Sequence, residues 1–494
     1  MSDIAEKTAS ATRWSSLTEI AIRFVLPIVN VVLARLLTPE AFGVVATITM
    51  IVSFAEIFTD AGFQKYLIQH DFCDEEELNQ NTNVAFWTNL IVSLFLWGLI
   101  VVFSEQLADL VGNHGLGIVV SVSAASLPLL AFSSIQMARF KRNFDFKSLF
   151  FVRLGSMVIP IVVTIPIAYV YHSYWALIIG TLAGNLFNAV VLTWKSSWKP
   201  RIYYSWRQFK EMFSYSWWIL LESVSTWLNS YMDTFIVSLF LTTYYVGLYK
   251  TSMVTVNQIT SIIVSATSMP LFVALSRLKN NKPELCATYN NYMSAIAMFV
   301  LPLSAGMWFF RDFITSVLLG DQWGEAADFI GLWGLLSSIS LLLGTYANGL
   351  YNAVGKTYLS FAVALINLVF MLLLLPITAP MGFESLYVSR SLLRLAFVAV
   401  QIAMMILVFR YPIVKLIKQL VPAAVCTLIM SLVAIFIQPL SLSAFWQLMS
   451  VAVCVLVYFI VANVFFRKEL VLSFETIGIG KTLVNKLLRR NERS

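Results

Sequence analysis

Five basic residues (Arg23, Arg153, Lys250, Arg390 and Arg394) and five acidic ones (Glu19, Glu56, Asp60, Glu222 and Asp233) stand inside otherwise apolar stretches. Those stretches run for roughly 20 residues, the length a helix needs to cross a bilayer. A charge at that depth is costly, so it faces a bundle interior or a water-filled cavity. Two kinds of chemistry are open to such residues. Acid beside base makes an internal ion pair that orients helices, whereas bases with no acid beside them make a cavity that receives an anion.

Depth separates the two kinds. At about 1.5 Å of rise per residue, Arg23 and Glu56 both fall roughly 10 to 15 Å from the inner face, with Glu19 and Asp60 one turn nearer the cytoplasm. Asp233 and Lys250 both fall about 10 Å from the outer face, which makes them a second candidate pair. Arg390 and Arg394 lie one turn apart in a span with no acid to neutralise them. Arg23, Lys250, Arg390 and Arg394 are therefore the candidate anion-binding cations. Glu19, Glu56, Asp60, Glu222 and Asp233 are the candidate coupling or pairing acids. Arg153 lies close enough to the inner face to snorkel. Pro27 follows Arg23 by four positions and leaves the Arg23 carbonyl without its helical donor, so a bend is expected beside these charges.

The elements that must hold these residues are membrane helices. Of 494 residues, 59% are apolar and only 12% charged, against about 25% charged in soluble domains; the mean hydropathy is +0.80. An all-α polytopic membrane protein with about fourteen spans is predicted, since the alternating ten-residue strands of an outer-membrane barrel are missing. The first apolar run is long, carries Glu19 and Arg23 and lacks a convincing cleavage site, so it is expected to stay as the first helix. His70, His114 and His172 fall in three different connections, and Cys73, Cys286, Cys426 and Cys454 form no CxxC pair. Neither a metal site nor a disulfide nor a cofactor is expected.

The 33 Lys and Arg residues set the orientation. They concentrate in alternate connections and in the tail from Arg467 onward, whereas the outward connections hold Arg35 and Arg311. Both termini are therefore predicted to be cytoplasmic. The formal charge of +7 reports topology, not nucleic-acid binding. The acidic run DFCDEEE (Asp71 to Glu77) falls inside, which the rule tolerates because acidic residues weigh little in it. Trp194 to Trp218 mixes aromatics with basic residues, the composition of a headgroup-level segment in contact with membrane lipids, with Ser205 as N-cap of a short interfacial helix.

LLTPEAFGVVAT (Leu36 to Thr47) can be laid on FLTTYYVGLYKT (Phe240 to Thr251), matching Leu37 with Leu241, Thr38 with Thr242, Gly43 with Gly247 and Thr47 with Thr251. Both pieces form the outward turn of a first hairpin, which suggests two parallel six-span halves. The expected layout is 1–194 and 212–409 as the two bundles, 195–211 as linker, 410–466 as two added helices and 467–494 as a basic tail.

Three stretches resemble a known family: LARLLTPEAFGVVATITMIVSFAEIFTDAGFQKYLIQ (Leu33 to Gln69), ARFKRNFDFKSLFFVR (Ala138 to Arg153) and LLGDQWGEAADFIGLW (Leu318 to Trp333). They are similar to the polysaccharide-unit flippases of the multidrug/oligosaccharidyl-lipid/polysaccharide exporter superfamily, of the O-antigen, colanic-acid and teichuronic-acid exporter type. The resemblance implies two six-helix bundles around a central cavity plus two further helices, in the bacterial cytoplasmic membrane. It also implies a non-enzymatic transporter that moves an undecaprenyl-pyrophosphate-linked oligosaccharide outward by alternating access, for O-antigen, capsule or exopolysaccharide synthesis. A polysaccharide polymerase and other assembly proteins are the partners it implies. Arginines of the first span take part in related flippases, and Arg23 is the position that fits. The roles of Lys250, Arg390 and Arg394 rest on depth alone. The rival readings are a multidrug cation antiporter of the same superfamily, which would favour acids in its cavity, and a membrane polymerase or ligase, which would carry a large outer loop.

Overall fold

The computed structural model describes the backbone of residues 2–60, 62–438 and 443–477. The basic tail beyond 477 and the Asp60 side chain lie outside the described residues. Long helices follow one another in the order α1 (Ser2–Leu36), α2 (Pro39–Asp60), α3 (Glu75–Val102), α4 (Gly117–Arg142), α5 (Phe146–Tyr171), α6 (Trp175–Lys195) and α7 (Trp206–Phe240). They continue with α8 (Thr243–Arg277), α9 (Lys282–Phe309), α10 (Asp321–Ala353), α11 (Thr357–Thr378), α12 (Phe383–Leu407), α13 (Ile413–Ile437) and α14 (Ala444–Phe465). No strand occurs among the described residues.

Thirteen of these described helices are long and apolar enough to cross a membrane. The remaining one is α7, which has 35 residues but dilutes its apolar content with Glu211, Glu222, Asp233 and a series of Ser, Thr and Asn residues. It also corrects one expectation. Ser205 does cap it, accepting from the Gln208 N–H at 3.5 Å. The helix it caps is not short, however, because neither glycine nor proline interrupts the chain from Trp206 to Phe240. The residues expected at the headgroup level and those expected to span form one continuous helix.

Polar caps start several other helices. Asp74, Asp145 and Asn281 each accept from a backbone N–H three residues on, at 2.7, 3.0 and 3.4 Å, which satisfies donors the helix leaves free. Prolines inside α1 (Pro27), α5 (Pro160 and Pro166), α8 (Pro270) and α9 (Pro302) leave each assigned helix continuous, as neighbouring helices allow in a membrane. α10 contains a π-helical stretch, Leu341–Thr345, a local widening that often marks functional helices.

Residue contacts group the chain into two compact units, Met1–Lys250 and Thr251–Ser494. In the first unit, α1, α5 and α6 pack through Leu33, Leu37, Ala168 and Ala176, while α2, α4 and α6 pack through Val44, Ile48, Leu127 and Ile178. The second unit is built around α9 and α10, whose Tyr289, Met293, Tyr346 and Tyr351 are buried with Met430 of α13 and Tyr458 of α14.

Basic residues of the Ala138 to Arg153 stretch are tied down. Arg139 pairs with Glu75 at 2.6 Å, Lys141 donates to Gln64 at 2.6 Å, and Arg142 donates to the Leu67, Ile68 and His70 carbonyls. Arg142 thus closes the C-terminus of the short helix Phe63–Gln69, where a cation suits the helix dipole.

The first turns of α2 and α8 pack directly on one another. A Cβ placed on Gly43 would lie 1.8 Å from the Thr243 carbonyl oxygen, and one on Gly247 would lie 1.9 Å from that of Pro39. Gly43 and Gly247 are the residues that the repeat aligns, and the same register lays Pro39 on Thr243. The contact is therefore reciprocal.

Candidate functional site

α1, α2 and α7 carry Glu19, Arg23, Glu56, Glu222 and Asp233 of the first unit. Arg23 reaches Glu19 one turn back on α1 at 4.0 Å, and both side chains are substantially exposed, at 36% and 53%. The contact along the helix is one that three- and four-residue spacing favours, and it leaves open the level match of Arg23 with Glu56 on which the depth argument rests. Glu56 is itself exposed on α2. It lines a cavity of about 140 Å³ together with Ser53, Ser126, Thr181 and Asn185.

Glu222 of α7 meets Lys65 at 3.7 Å, again with both side chains exposed. They open onto a polar cavity of about 370 Å³ lined by Ser223, Thr226, Trp227, Ser230 and Tyr231. Lys65 was counted in the sequence only as a mark of topology. It lies in the short helix Phe63–Gln69 that follows α2, and nothing local pairs it with a residue so distant in the chain. Trp227 fixes α7 to α2, donating from its indole to Ser53 Oγ at 3.0 Å and packing on Phe54 at 4.7 Å between ring centroids.

Asp233 and Lys250 come together through Thr234. Asp233 is buried and accepts from the Tyr249 hydroxyl at 3.0 Å, from the Thr234 N–H at 2.7 Å and from the Thr234 hydroxyl at 3.3 Å. Lys250 donates to that hydroxyl and to the Ser230 carbonyl, each at 3.4 Å, with its ammonium 4.7 Å from the Tyr231 ring centre. A carboxylate so well supplied with donors is a stable anchor in a bundle interior.

Arg390 and Arg394 of α12 both lie over one aromatic face. Their guanidinium carbons stand 5.1 and 4.3 Å from the centre of the Trp333 ring on α10, within the range where the ring quadrupole attracts a cation. Arg390 is buried, at 5% exposure, and so is Trp333. Arg390 is enclosed and Arg394 half-buried in this conformation. Trp333 was missed as a partner because it belongs to a distant helix. Pro27 lies within α1, which is continuous from Ser2 to Leu36.

Long apolar helices, thirteen of them long and apolar enough to cross a membrane among the described residues, define a polytopic α-helical membrane protein. The chain belongs to the polysaccharide biosynthesis protein family, whose model matches residues 32–328. It is 24% identical over 325 residues to an uncharacterized membrane protein in the cps region of Klebsiella pneumoniae, covering 64% of this chain and just under two thirds, 65%, of that protein. It is 23% identical to the succinoglycan biosynthesis transport protein ExoT of Rhizobium meliloti (strain 1021), over 72% of this chain and 71% of ExoT. The lipopolysaccharide biosynthesis protein WzxC of Escherichia coli (strain K12) is 20% identical, over 69% and 70%. The fold is similar to that of the lipid II flippase MurJ in its inward closed conformation, with TM-score 0.73, 17% identity and coverage of 92% of this chain and 98% of MurJ. It is also similar to an inward-facing multidrug resistance MATE family transporter of the MOP superfamily, with TM-score 0.58, 13% identity and coverage of 83% and 99%.

Proposed function

We propose that this protein flips a lipid-linked oligosaccharide, an undecaprenyl-pyrophosphate-borne repeat unit, from the inner to the outer leaflet of the bacterial cytoplasmic membrane. The observation that carries the reading is the set of exposed ionisable side chains on α1, α2 and α7: Glu19, Arg23, Glu56 and Glu222, with Lys65. Charges that are exposed at membrane depth do not face lipid. They line a wet passage instead, and a family devoted to polysaccharide synthesis supplies a solute that needs one.

Physical chemistry assigns the roles. A pyrophosphate headgroup entering the membrane needs cations in place of its water. Arg23, which reaches Glu19 at 4.0 Å, is the cation of α1 that can meet an incoming phosphate through charge-assisted hydrogen bonds. Lys65, opposite Glu222, is a second cation that can do so. The sugars need hydroxyls and aromatic faces, which Ser223, Thr226, Trp227, Ser230 and Tyr231 present. The lipid tail stays outside, between helices. An inside-negative potential assists the outward movement of an anion by roughly 2.3 kcal/mol per charge per 100 mV. Coupling runs on that potential, or on ion exchange at Glu19, Glu56 or Asp60.

The arrangement of 1–194 and 212–409 as six-helix bundles, with 410–466 appended and both termini cytoplasmic, belongs to this proposal. So do a surface-polysaccharide polymerase as partner and a mechanism without a catalytic step. The test is leaflet location. With the protein deleted from its native host, the lipid-linked oligosaccharide should accumulate out of reach of a periplasmic glycosidase and become accessible when the gene is restored. Unchanged accessibility would rule the function out.

A further inference from the structure

The third long helix of each half begins at a pocket, and the two pockets differ in charge. α3 and α9 are both 28 residues long, are capped by Asp74 and Asn281 respectively, and end at Phe103 and Phe310. Laying Asp74 on Asn281 also aligns Glu77 with Glu284, Leu78 with Leu285 and Asn83 with Asn290. This register is offset by 207 residues, three more than the 204 that lays Gly43 on Gly247, so the two matches join only across a three-residue insertion.

At the start of α3 the pocket holds about 310 Å³ and is lined by Glu75, Glu76, Asn83, Arg139, Lys199 and Arg201. Two carboxylates there face three cations: Arg139 pairs with Glu75 at 2.6 Å, and Asn83 accepts the Arg201 backbone N–H at 2.8 Å. At the start of α9 the register sets Lys282 in the place of Glu75 and Pro283 in the place of Glu76. This second pocket holds about 650 Å³, and Lys282, Arg410, Lys415 and Lys418 line it with no carboxylate among the described residues. Both pockets lie on the face that the basic-residue bias marks as cytoplasmic. The bias alone does not separate them.

The second pocket is also held in shape. The Tyr411 hydroxyl donates to Asn290 Oδ1 at 2.6 Å and to the Cys286 carbonyl at 3.2 Å, and Lys282 donates to the Phe409 carbonyl at 2.9 Å. Between those two anchors Arg410 takes φ of 52°, a left-handed conformation uncommon for a residue with a long side chain. Lys415 and Lys418 occupy the opening turns of α13, which has no acidic residue in its first turn. Cations there oppose the helix dipole, and a bound anion relieves the opposition.

We infer that this pocket binds the phosphates of an anionic lipid headgroup at the inner leaflet. Basic pockets between transmembrane helices on the cytoplasmic side suit headgroups that carry more than one phosphate. Two lipids share that chemistry, a diphosphatidyl phospholipid of the bilayer and a polyprenyl pyrophosphate. The binding itself does not depend on which glycan the protein moves.

The experiment uses the full chain in phosphatidylcholine nanodiscs, titrated with diphosphatidylglycerol and read by native mass spectrometry. Saturable binding is expected, weakened about fivefold by Lys415→Gln alone and roughly 25-fold by Lys415→Gln with Lys418→Gln, from about 1 kcal/mol per lysine. Lys199→Gln in the first pocket should leave it unchanged. Competition by undecaprenyl pyrophosphate would identify the carrier lipid as the occupant, and absence of competition the bilayer lipid; either supports the pocket. Binding to the double variant equal to that of the parent would overturn it. So would inorganic pyrophosphate displacing the lipid at equal concentration, since the lipid would then not be what is recognised. An unchanged melting temperature of the double variant in pure phosphatidylcholine establishes that it is folded.

Discussion

Gly43 and Gly247 face each other across a helix crossing that leaves no room for a side chain on either: the Cβ each lacks would fall within 2 Å of a carbonyl oxygen at the start of the other helix. Small residues at such crossings let backbones approach where packing, not the hydrophobic effect, holds membrane helices together.

Gly43→Ala is expected to push the first turns of α2 and α8 apart and to destabilise the protein by about 1 to 3 kcal/mol, the usual range for overpacking. The melting temperature of the purified protein measures it. Because Gly247→Ala strains the same contact, the double variant should lose clearly less than the sum of the single losses. Full additivity would mean that the two turns are independent.

Arg23→Ala is expected to abolish export while the protein still inserts, and Arg153→Ala to be mild, because Arg153 has its place near the inner face. Normal surface polysaccharide from a well-expressed Arg23→Ala strain would remove Arg23 from the substrate path. Rescue of Arg23→Ala by Glu19→Gln would show instead that the arginine serves only to neutralise its neighbour on α1.

Trp333 supports both Arg390 and Arg394 and is fully buried. Trp333→Ala should destabilise by about 3 to 5 kcal/mol, whereas Trp333→Phe keeps an aromatic face and should lose much less. A ranking in the opposite order, by thermal unfolding in detergent, would show that the cation contacts contribute nothing.

Cys73 is exposed, whereas Cys286, Cys426 and Cys454 are buried, so a thiol reagent reads one position. A hydrogen bond to the Glu77 carboxylate, reinforced by its charge, pushes the Cys73 thiol up from its ordinary value. At a given pH less thiolate is present, and alkylation is slower than for a free cysteine. Glu77→Gln should move the rate-against-pH curve to lower pH. In intact spheroplasts an impermeant maleimide should not label Cys73 until the membrane is opened; prompt labelling from outside would reverse the topology.

Much of this architecture is carried by local signals. Apolar runs of spanning length define the helices, and the matches around Gly43 and Gly247 single out two turns that pack on one another, because both signals rest on neighbouring residues in the chain. Pairings between distant residues are not carried that way. Depth brought Asp233 to the level of Lys250 but could not show Thr234 between them, nor Trp333 beneath two arginines on another helix. Lys65 was hidden for the same reason. A lysine in a short connecting helix satisfies the topology rule, so nothing in its own surroundings announces a partner on α7.

The unbroken course of α7 from Trp206 to Phe240 makes it a lever. With 35 residues it is about 52 Å long, so a 10° tilt about one end sweeps the other by roughly 9 Å. A rocking of this helix would therefore carry the aromatic and basic residues of its first turns and Glu222 near its middle as one body.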